Sequence, residues 1–232
     1  PVTYLDNACV TLRPDSVVKA ITDYYTKTPA CGGRSAHRWS VSVTRSTMRS
    51  RKSVSNLIGS ESKQVVFTSN ATSAINQVAH GIDWSEGDVI VTTDREHNSN
   101  LVPWKQMVAK HGVVHRTFSR AEDGSFDFEA LEDVCTESGS NLRLVSIPHV
   151  SNLDGVSAPV KEVSRVAHDF GAEVLVDAAQ SVPHKAIDVE DLGCDYLAFS
   201  LHKMLGPSGV GVLWGKEQAL ASLETISGGG MT

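Results

Sequence analysis

The feature that most constrains the fold of this chain is an alternation between short apolar runs and longer segments with helical periodicity. The apolar runs are rich in Val, Ile, Leu and Phe, which pack well in buried strands. Strands joined by helical crossovers pair in parallel, so the alternation predicts a mainly parallel sheet with helices on both faces. The predicted strands are 64–68, 88–93, 113–118, 142–147, 173–176, 196–199 and 209–214.

The last predicted strand is an exception to this pattern. Too few residues separate 196–199 from 209–214 for a helical crossover, so the final strand should run antiparallel to its neighbours. No repeat, low-complexity tract or linker divides the chain, which favours a single three-layer αβα domain around a seven-stranded sheet. The predicted helices are 15–26, 41–58, 73–80, 101–111, 128–135, 160–170 and 216–223.

Charge and hydropathy exclude several classes of partner. The 232-residue chain has a formal net charge of −6, whereas the phosphates of nucleic acids select basic surfaces. No uncharged run approaches the roughly 18 residues of a membrane span, and no secretory signal opens the sequence. We therefore expect a cytoplasmic protein that binds neither nucleic acid nor membrane.

The four cysteines indicate neither a disulfide framework nor a metal site. They are scattered and form no CxxC pair. Cys194 precedes an apolar strand and is expected in the core, and Cys135 lies at the end of an amphipathic helix. Cys9 and Cys31 lie in predicted loops.

Two predicted strand ends carry an acid and an amine. Asp177 follows the run 173–176, and Lys203 follows the run 196–199. Because open α/β sheets bind ligands at the carboxyl ends of their strands, both side chains should face one crevice. A lysine that forms an imine and a carboxylate that keeps a pyridine nitrogen protonated suit pyridoxal phosphate (PLP). A structural ion pair at the sheet edge is the alternative interpretation.

The segment 68–76 offers a place for the cofactor phosphate. It combines a strand end, a turn of small residues and a helix start, so backbone N–H groups around Ala71 and Thr72 should point into the turn. Helix N-termini bind anions in this way. A plain N-cap at Thr72 is the simpler interpretation and is compatible with phosphate binding.

Several segments, in their order and spacing, resemble the class V branch of the fold-type I PLP enzymes. The closest resemblance is to the Suf-type cysteine desulfurases, with selenocysteine lyase beside them. It implies that residues 1–232 form the large PLP-binding domain, with an N-terminal segment of about 1–40 lining the active site. It also implies a smaller C-terminal domain, which we expect to be absent from this chain. The segments are 4–8 (YLDNA), 68–76 (TSNATSAIN), 96–104 (EHNSNLVPW), 149–155 (HVSNLDG), 176–180 (VDAAQ), 199–207 (FSLHKMLGP) and 228–230 (GGG).

The resemblance implies three catalytic residues. Lys203 would hold PLP covalently and move the proton at the substrate Cα, and Asp177 would pair with the ring nitrogen. His97 would stack on the ring and act as an acid or base near the substrate. The pair His37-Arg38 resembles a His-Arg pair on the active-site side of the family's N-terminal segment.

Further residues would bind the cofactor. The resemblance places Ser200 and His202 on the phosphate, together with the helix start at Ala71 and Thr72. The uncharged amides of Asn152 and Gln180 could hydrogen-bond the phenolic oxygen of the ring.

The implied activity removes sulfur from L-cysteine to give L-alanine and an enzyme persulfide, for sulfur transfer or iron–sulfur cluster assembly. The implied enzyme is a homodimer that passes sulfur to an acceptor or scaffold protein. Its sulfur-accepting cysteine and carboxylate-binding arginine would lie in the C-terminal domain. If the chain were complete, Cys9 or Cys31 would have to accept the sulfur, although both suit tight turns.

Other activities remain open at this point. One alternative is a related class V enzyme, such as selenocysteine lyase, an aminotransferase or an epimerase. The other is a truncated, non-catalytic cofactor-binding module.

Overall fold

A computed structural model describes residues 2–121 and 123–226, and the glycines 228–230 lie outside this range. Its seven strands form one sheet in the order β1-β7-β6-β5-β4-β2-β3. Every predicted strand is present, with bounds that differ by one or two residues. The strands are β1 (Val65–Thr68), β2 (Val89–Thr93), β3 (Val114–Phe118), β4 (Leu142–Pro148), β5 (Glu173–Asp177), β6 (Tyr196–Ser200) and β7 (Gly211–Gly215).

Eight α-helices accompany the sheet in the described ranges. Seven match predicted helices, and the four-residue α7 was too short to show a periodic pattern. None of the described helices is long and apolar enough to cross a membrane. The helices are α1 (Asp15–Lys27), α2 (Arg38–Leu57), α3 (Ala71–Gly81), α4 (Val102–His111), α5 (Phe128–Ser138), α6 (Val160–Asp169), α7 (Val189–Leu192) and α8 (Glu217–Ser222).

The strand directions bring the important loops to one edge of the sheet. The central strands β2, β4, β5 and β6 pair in parallel, and β7 runs antiparallel to both β6 and β1. This confirms the direction predicted for the last strand. The carboxyl ends of β1, β2, β4, β5 and β6 therefore lie on the same edge, at which β7 begins.

Alternating side chains build an apolar core on each face of the sheet. In β2, Val89 and Val91 join the cluster formed with α5, α6 and α7, whereas Ile90 joins the cluster formed with α3, α4 and α8. Alternation of this kind is the expected result of the strand pleat. The three-layer αβα architecture is confirmed.

The helix α1 lies outside both cores. None of its residues is buried, and its apolar side chains Val18, Ile21, Tyr24 and Tyr25 remain 41–71% exposed. A contiguous apolar surface on a folded protein commonly marks an interaction site.

Candidate active site

A cavity of about 410 Å³ opens at the carboxyl edge of the sheet. Its volume falls in the range of roughly 300–1,000 Å³ that is typical of small-molecule sites. All the residues predicted to bind a cofactor line this cavity except Gln180. The lining residues are Asp6, Ala8, Cys9, Asn70, Ala71, Thr72, His97, Ser99, Asn152, Asp177, Ala179, Ser200, His202 and Lys203.

Asp177 ends β5 and lies in the wall of the cavity. Its Oδ1 accepts the backbone N–H of Ala179 at 2.9 Å, and no protein donor within the described ranges bonds to Oδ2. Burial raises the pKa of the Asp177 carboxyl, while the Ala179 bond and the charges of Lys203 and His97 act in the opposite direction. The carboxylate is therefore poised to accept a donor from a bound molecule.

Lys203 lies in a single 3₁₀ turn, Leu201–Lys203, that directly follows β6. The N-terminal segment holds this turn in place through Thr11. The Thr11 N–H and hydroxyl both donate to the carbonyl of His202, at 2.9 and 3.0 Å, and the Leu205 N–H donates to Thr11 Oγ1 at 2.8 Å. Leu205 has φ +65°, a left-handed conformation that a leucine rarely adopts without such support.

The start of α3 faces the cavity beside β6. Its N-cap is Asn70, whose Oδ1 accepts the N–H of Ser73 at 2.8 Å, so the interpretation of Thr72 as the N-cap was wrong. The Ala71 N–H donates to Ser200 Oγ at 2.8 Å, which ties the helix start to the end of β6. This close approach requires a glycine at 211, because a Cβ there would lie 2.4 Å from the Asn70 Cα.

His97 lies at the opening of the cavity, in the loop after β2. Its Nδ1 accepts the backbone N–H of Ser99 at 3.1 Å, which assigns the proton of the neutral ring to Nε2. The Ser99 hydroxyl lies 3.0 Å from the same Nδ1 and 2.6 Å from Thr72 Oγ1. A short polar chain thus connects His97 to the start of α3.

His202 lies in the same 3₁₀ turn as Lys203, Leu201–Lys203, which we call the lysine turn. Burial, with the neighbouring charges of Lys203 and Arg13, lowers the pKa of the His202 imidazole. A neutral ring can donate one hydrogen bond to an anion without adding a charge of its own.

The two amides predicted to contact the cofactor ring differ in position. Asn152 lines the cavity from the loop after β4. Gln180 is buried nearby, but its Nε2 donates to the carbonyl of Ala8 at 2.7 Å and so anchors the N-terminal segment.

The remaining N-terminal residues lie in different surroundings. Cys9 lines the cavity, whereas Cys31 is exposed and not part of its lining. His37 is the N-cap of α2, where its Nδ1 accepts the N–H of Ser40 at 3.4 Å. Arg38 lines a separate surface groove along the same helix.

The sequence interpretation missed several residues of this site. It assigned no role in the site to Asp6, Thr11 or Glu96. Thr11 bonds to residues more than 190 positions away, so no local pattern could reveal it.

Comparison with known proteins agrees with this geometry. The family model described as aminotransferase class-V matches residues 3–232. The chain belongs to the aminotransferase class-V family. One class-V relative, a probable cysteine desulfurase of Halalkalibacterium halodurans, is 39% identical over 99% of this chain and 57% of its own length. The chain thus spans little more than half of that relative.

Solved structures of similar proteins show the same fold. The apo structure of cysteine desulfurase from Thermococcus onnurineus NA1 is 38% identical, with a TM-score of 0.92 over 99% of this chain and 57% of that chain. A structure of a C-DES mutant, 26% identical with a TM-score of 0.86 over 95% of this chain and 58% of that chain, has glycine covalently linked to its PLP cofactor. The fold is therefore that of the fold-type I PLP enzymes, as predicted.

Proposed function

We propose that this chain is the PLP-binding large domain of a cysteine desulfurase. The observation that carries the proposal is the meeting of Asp177 and Lys203 in one cavity, at the carboxyl ends of the adjacent parallel strands β5 and β6. The similarity to cysteine desulfurases of H. halodurans and T. onnurineus favours this activity over an aminotransferase or an epimerase.

The residues that line the cavity fit PLP. Asp177 Oδ2 has no protein donor in the described part of the chain, and it can accept the pyridinium N–H of a bound ring. At the other end, the helix start at Ala71 and the hydroxyls of Thr72 and Ser200 suit a phosphate. Lys203 supplies the amine between these two ends.

Bound PLP would supply an aldehyde for amines and a ring that accepts electrons from the substrate Cα. In our proposal, Asp177 keeps a negative charge against the ring nitrogen, which favours the protonated ring. Lys203 holds the cofactor and then moves a proton to or from the substrate Cα. His97, with its proton on Nε2, packs against the ring and donates a proton near the substrate sulfur.

The proposed reaction converts L-cysteine into L-alanine and leaves the sulfur as a persulfide on an enzyme thiol, for an acceptor or iron–sulfur scaffold protein. Cys135 and Cys194 are poor acceptors, because burial raises their thiol pKa values to about 11 and about 12. As the resemblance implies, we place the acceptor cysteine and the carboxylate-binding arginine in the smaller domain.

We also propose that the protein is a cytoplasmic homodimer. All four cysteines are free, in keeping with a reducing compartment, and cell fractionation would test this placement. The exposed apolar side chains of α1 are available for a symmetric interface. Sedimentation of the full-length protein as a stable monomer at micromolar concentration would contradict the dimer.

Cofactor trapping tests the proposed function directly. Borohydride fixes PLP to the amine that holds it, so peptide mapping of the reduced protein should find the cofactor on Lys203. Lys203→Ala should trap no cofactor, whereas the control Lys105→Ala, which removes an exposed amine of α4, should trap as much as wild type. Cofactor on any other lysine would refute the assignment.

A further inference from the structure

The side chain of Glu96 points into the protein, although the residue lies in a loop beside His97. Its Oε1 accepts the N–H of Thr93 at 3.2 Å and lies 2.7 Å from Thr93 Oγ1. Its Oε2 accepts the Asn100 Nδ2–H at 2.7 Å. Glu96 therefore connects the end of β2 to Asn100, across the turn that begins at His97.

Buried neighbours of Asn100 determine which end of its side-chain amide faces Glu96. Asn100 Oδ1 accepts the indole N–H of Trp104 at 3.2 Å and the hydroxyl of Ser146 at 2.6 Å, and all three residues are fully buried. An indole nitrogen can only donate, so the amide oxygen must face Trp104. The amide NH₂ must then face Glu96, which has to accept.

His97 lies inside the loop that this connection closes. The Asn100 N–H donates to the carbonyl of His97 at 2.7 Å, and His97 forms the N-cap of the turn 98–100. Asn100 is anchored to the sheet at one end of the turn, and Glu96 is anchored to Thr93 at the other. The position of the imidazole thus depends on groups that it does not touch.

We propose that Glu96 is a positioning residue that holds His97 at the cavity through its bond to Asn100. The proposal deepens the proposed function, because it concerns the side chain that would pack on the cofactor ring. Glu96 acts through geometry, so a side chain that still accepts from Asn100 should replace it.

The protonation state of Glu96 indicates that glutamine is such a replacement. Burial, with the nearby charge of Asp177, raises the pKa of Glu96 to about 8, so the carboxyl is mostly neutral at pH 7. A neutral carboxyl can donate to Thr93 Oγ1 while its other oxygen accepts from Asn100. Glutamine offers the same donor and acceptor and loses only the longest bond, from the Thr93 N–H.

The test compares Glu96→Gln with Glu96→Ala in the purified chain. Nitrogen-15 NMR of the imidazole should show a His97 Nδ1 that accepts a hydrogen bond in wild type and Glu96→Gln. In Glu96→Ala it should show a ring that averages between tautomers. The affinity for PLP should fall by up to about 10-fold in Glu96→Ala only, the magnitude expected for a weakened aromatic stack of roughly 0.5–1.5 kcal/mol. Glu86→Ala, at an exposed turn, is the matched control.

Two outcomes would overturn the proposal: a Glu96→Ala variant with wild-type His97 signals, or a Glu96→Gln variant as impaired as Glu96→Ala. If Glu96→Ala fails to fold, Ser146→Ala removes one of the two core donors to Asn100 Oδ1 and should shift the same signals by a smaller amount. The NMR readout needs no cofactor, so a protein that binds no PLP would refute the proposed function and leave this inference testable.

Discussion

Asp177 has a charge that the fold itself does little to stabilise. One backbone N–H bonds to the carboxylate, and burial raises its pKa. Residues arranged in this way commonly serve function at a cost in stability. A bound pyridinium would provide a donor for Oδ2, to which no donor in the described residues bonds.

Asp177→Asn should therefore separate stability from activity. The amide keeps an oxygen for the Ala179 N–H and removes a buried charge, so the free energy of unfolding should rise by about 0.5–2 kcal/mol. PLP-dependent exchange of the substrate Cα proton should fall by about 100-fold or more, because a neutral amide cannot stabilise a pyridinium. Urea unfolding and proton exchange in D₂O measure the two effects.

The control for this prediction is Asp83→Asn, at an exposed position. It should change neither quantity. An Asp177→Asn variant with near-native exchange would show that another acid pairs with the ring.

At the scale of elements, the N-terminal segment works as a brace for the lysine turn. Besides the Thr11 bonds, Gln180 donates to Ala8, and Arg13 donates to Ser208 Oγ at 2.8 Å. These contacts hold the segment 8–13 against the loops that follow β5 and β6. The brace explains how Leu205 keeps its left-handed backbone.

Thr11→Val should loosen this brace without changing the size of the side chain. The change leaves the Leu205 N–H without its acceptor, so the free energy of unfolding should fall by about 1–3 kcal/mol. Amide hydrogen exchange at Leu205 should accelerate as well. Thr47→Val, on the exposed face of α2, is the control, and equal effects of the two changes would contradict the brace.

The elements show which parts of the structure the sequence could predict. Strands β2, β4, β5 and β6 are mainly apolar, so their ends, and with them the positions of Asp177 and Lys203, followed from local pattern. The inward turn of Glu96 and the bond from Gln180 to Ala8 depend on tertiary neighbours. Sequence periodicity contains no information about such contacts.

For the whole molecule, the buried His149 and the half-buried Glu96 impose opposite dependences of stability on pH. Burial lowers the pKa of His149 to about 4, below the ordinary 6.5, so stability is lost as the pH falls from 6.5 towards 4. The pKa of Glu96 is raised from 4.5 to about 8, so stability is lost as the pH rises between these values. The two trends oppose each other between 4.5 and 6.5.

Stability should therefore decline between pH 6.5 and 8, where Glu96 ionises and His149 no longer compensates. At about 1.4 kcal/mol per pKa unit, the decline attributable to Glu96 is at most about 2 kcal/mol. Urea unfolding at the two pH values should show a smaller decline in Glu96→Gln, and an unchanged decline in that variant would contradict the assignment.

The pairing of β1 with β7 affects how the chain folds during its synthesis on the ribosome. β1 is complete at Thr68, but the one strand that pairs with it in the described part of the chain begins at Gly211. At roughly 5–20 residues per second, the synthesis of the intervening residues leaves that edge unpaired for about 7–30 s. Arg51 of α2 donates to the carbonyl of Val65 and lies over the ring of Phe67 while β1 is paired with β7, so α2 does not occupy the edge to which β7 binds. The nascent chain should therefore expose an unpaired strand edge, to which another chain could add a strand, until Gly211–Gly215 has been synthesised.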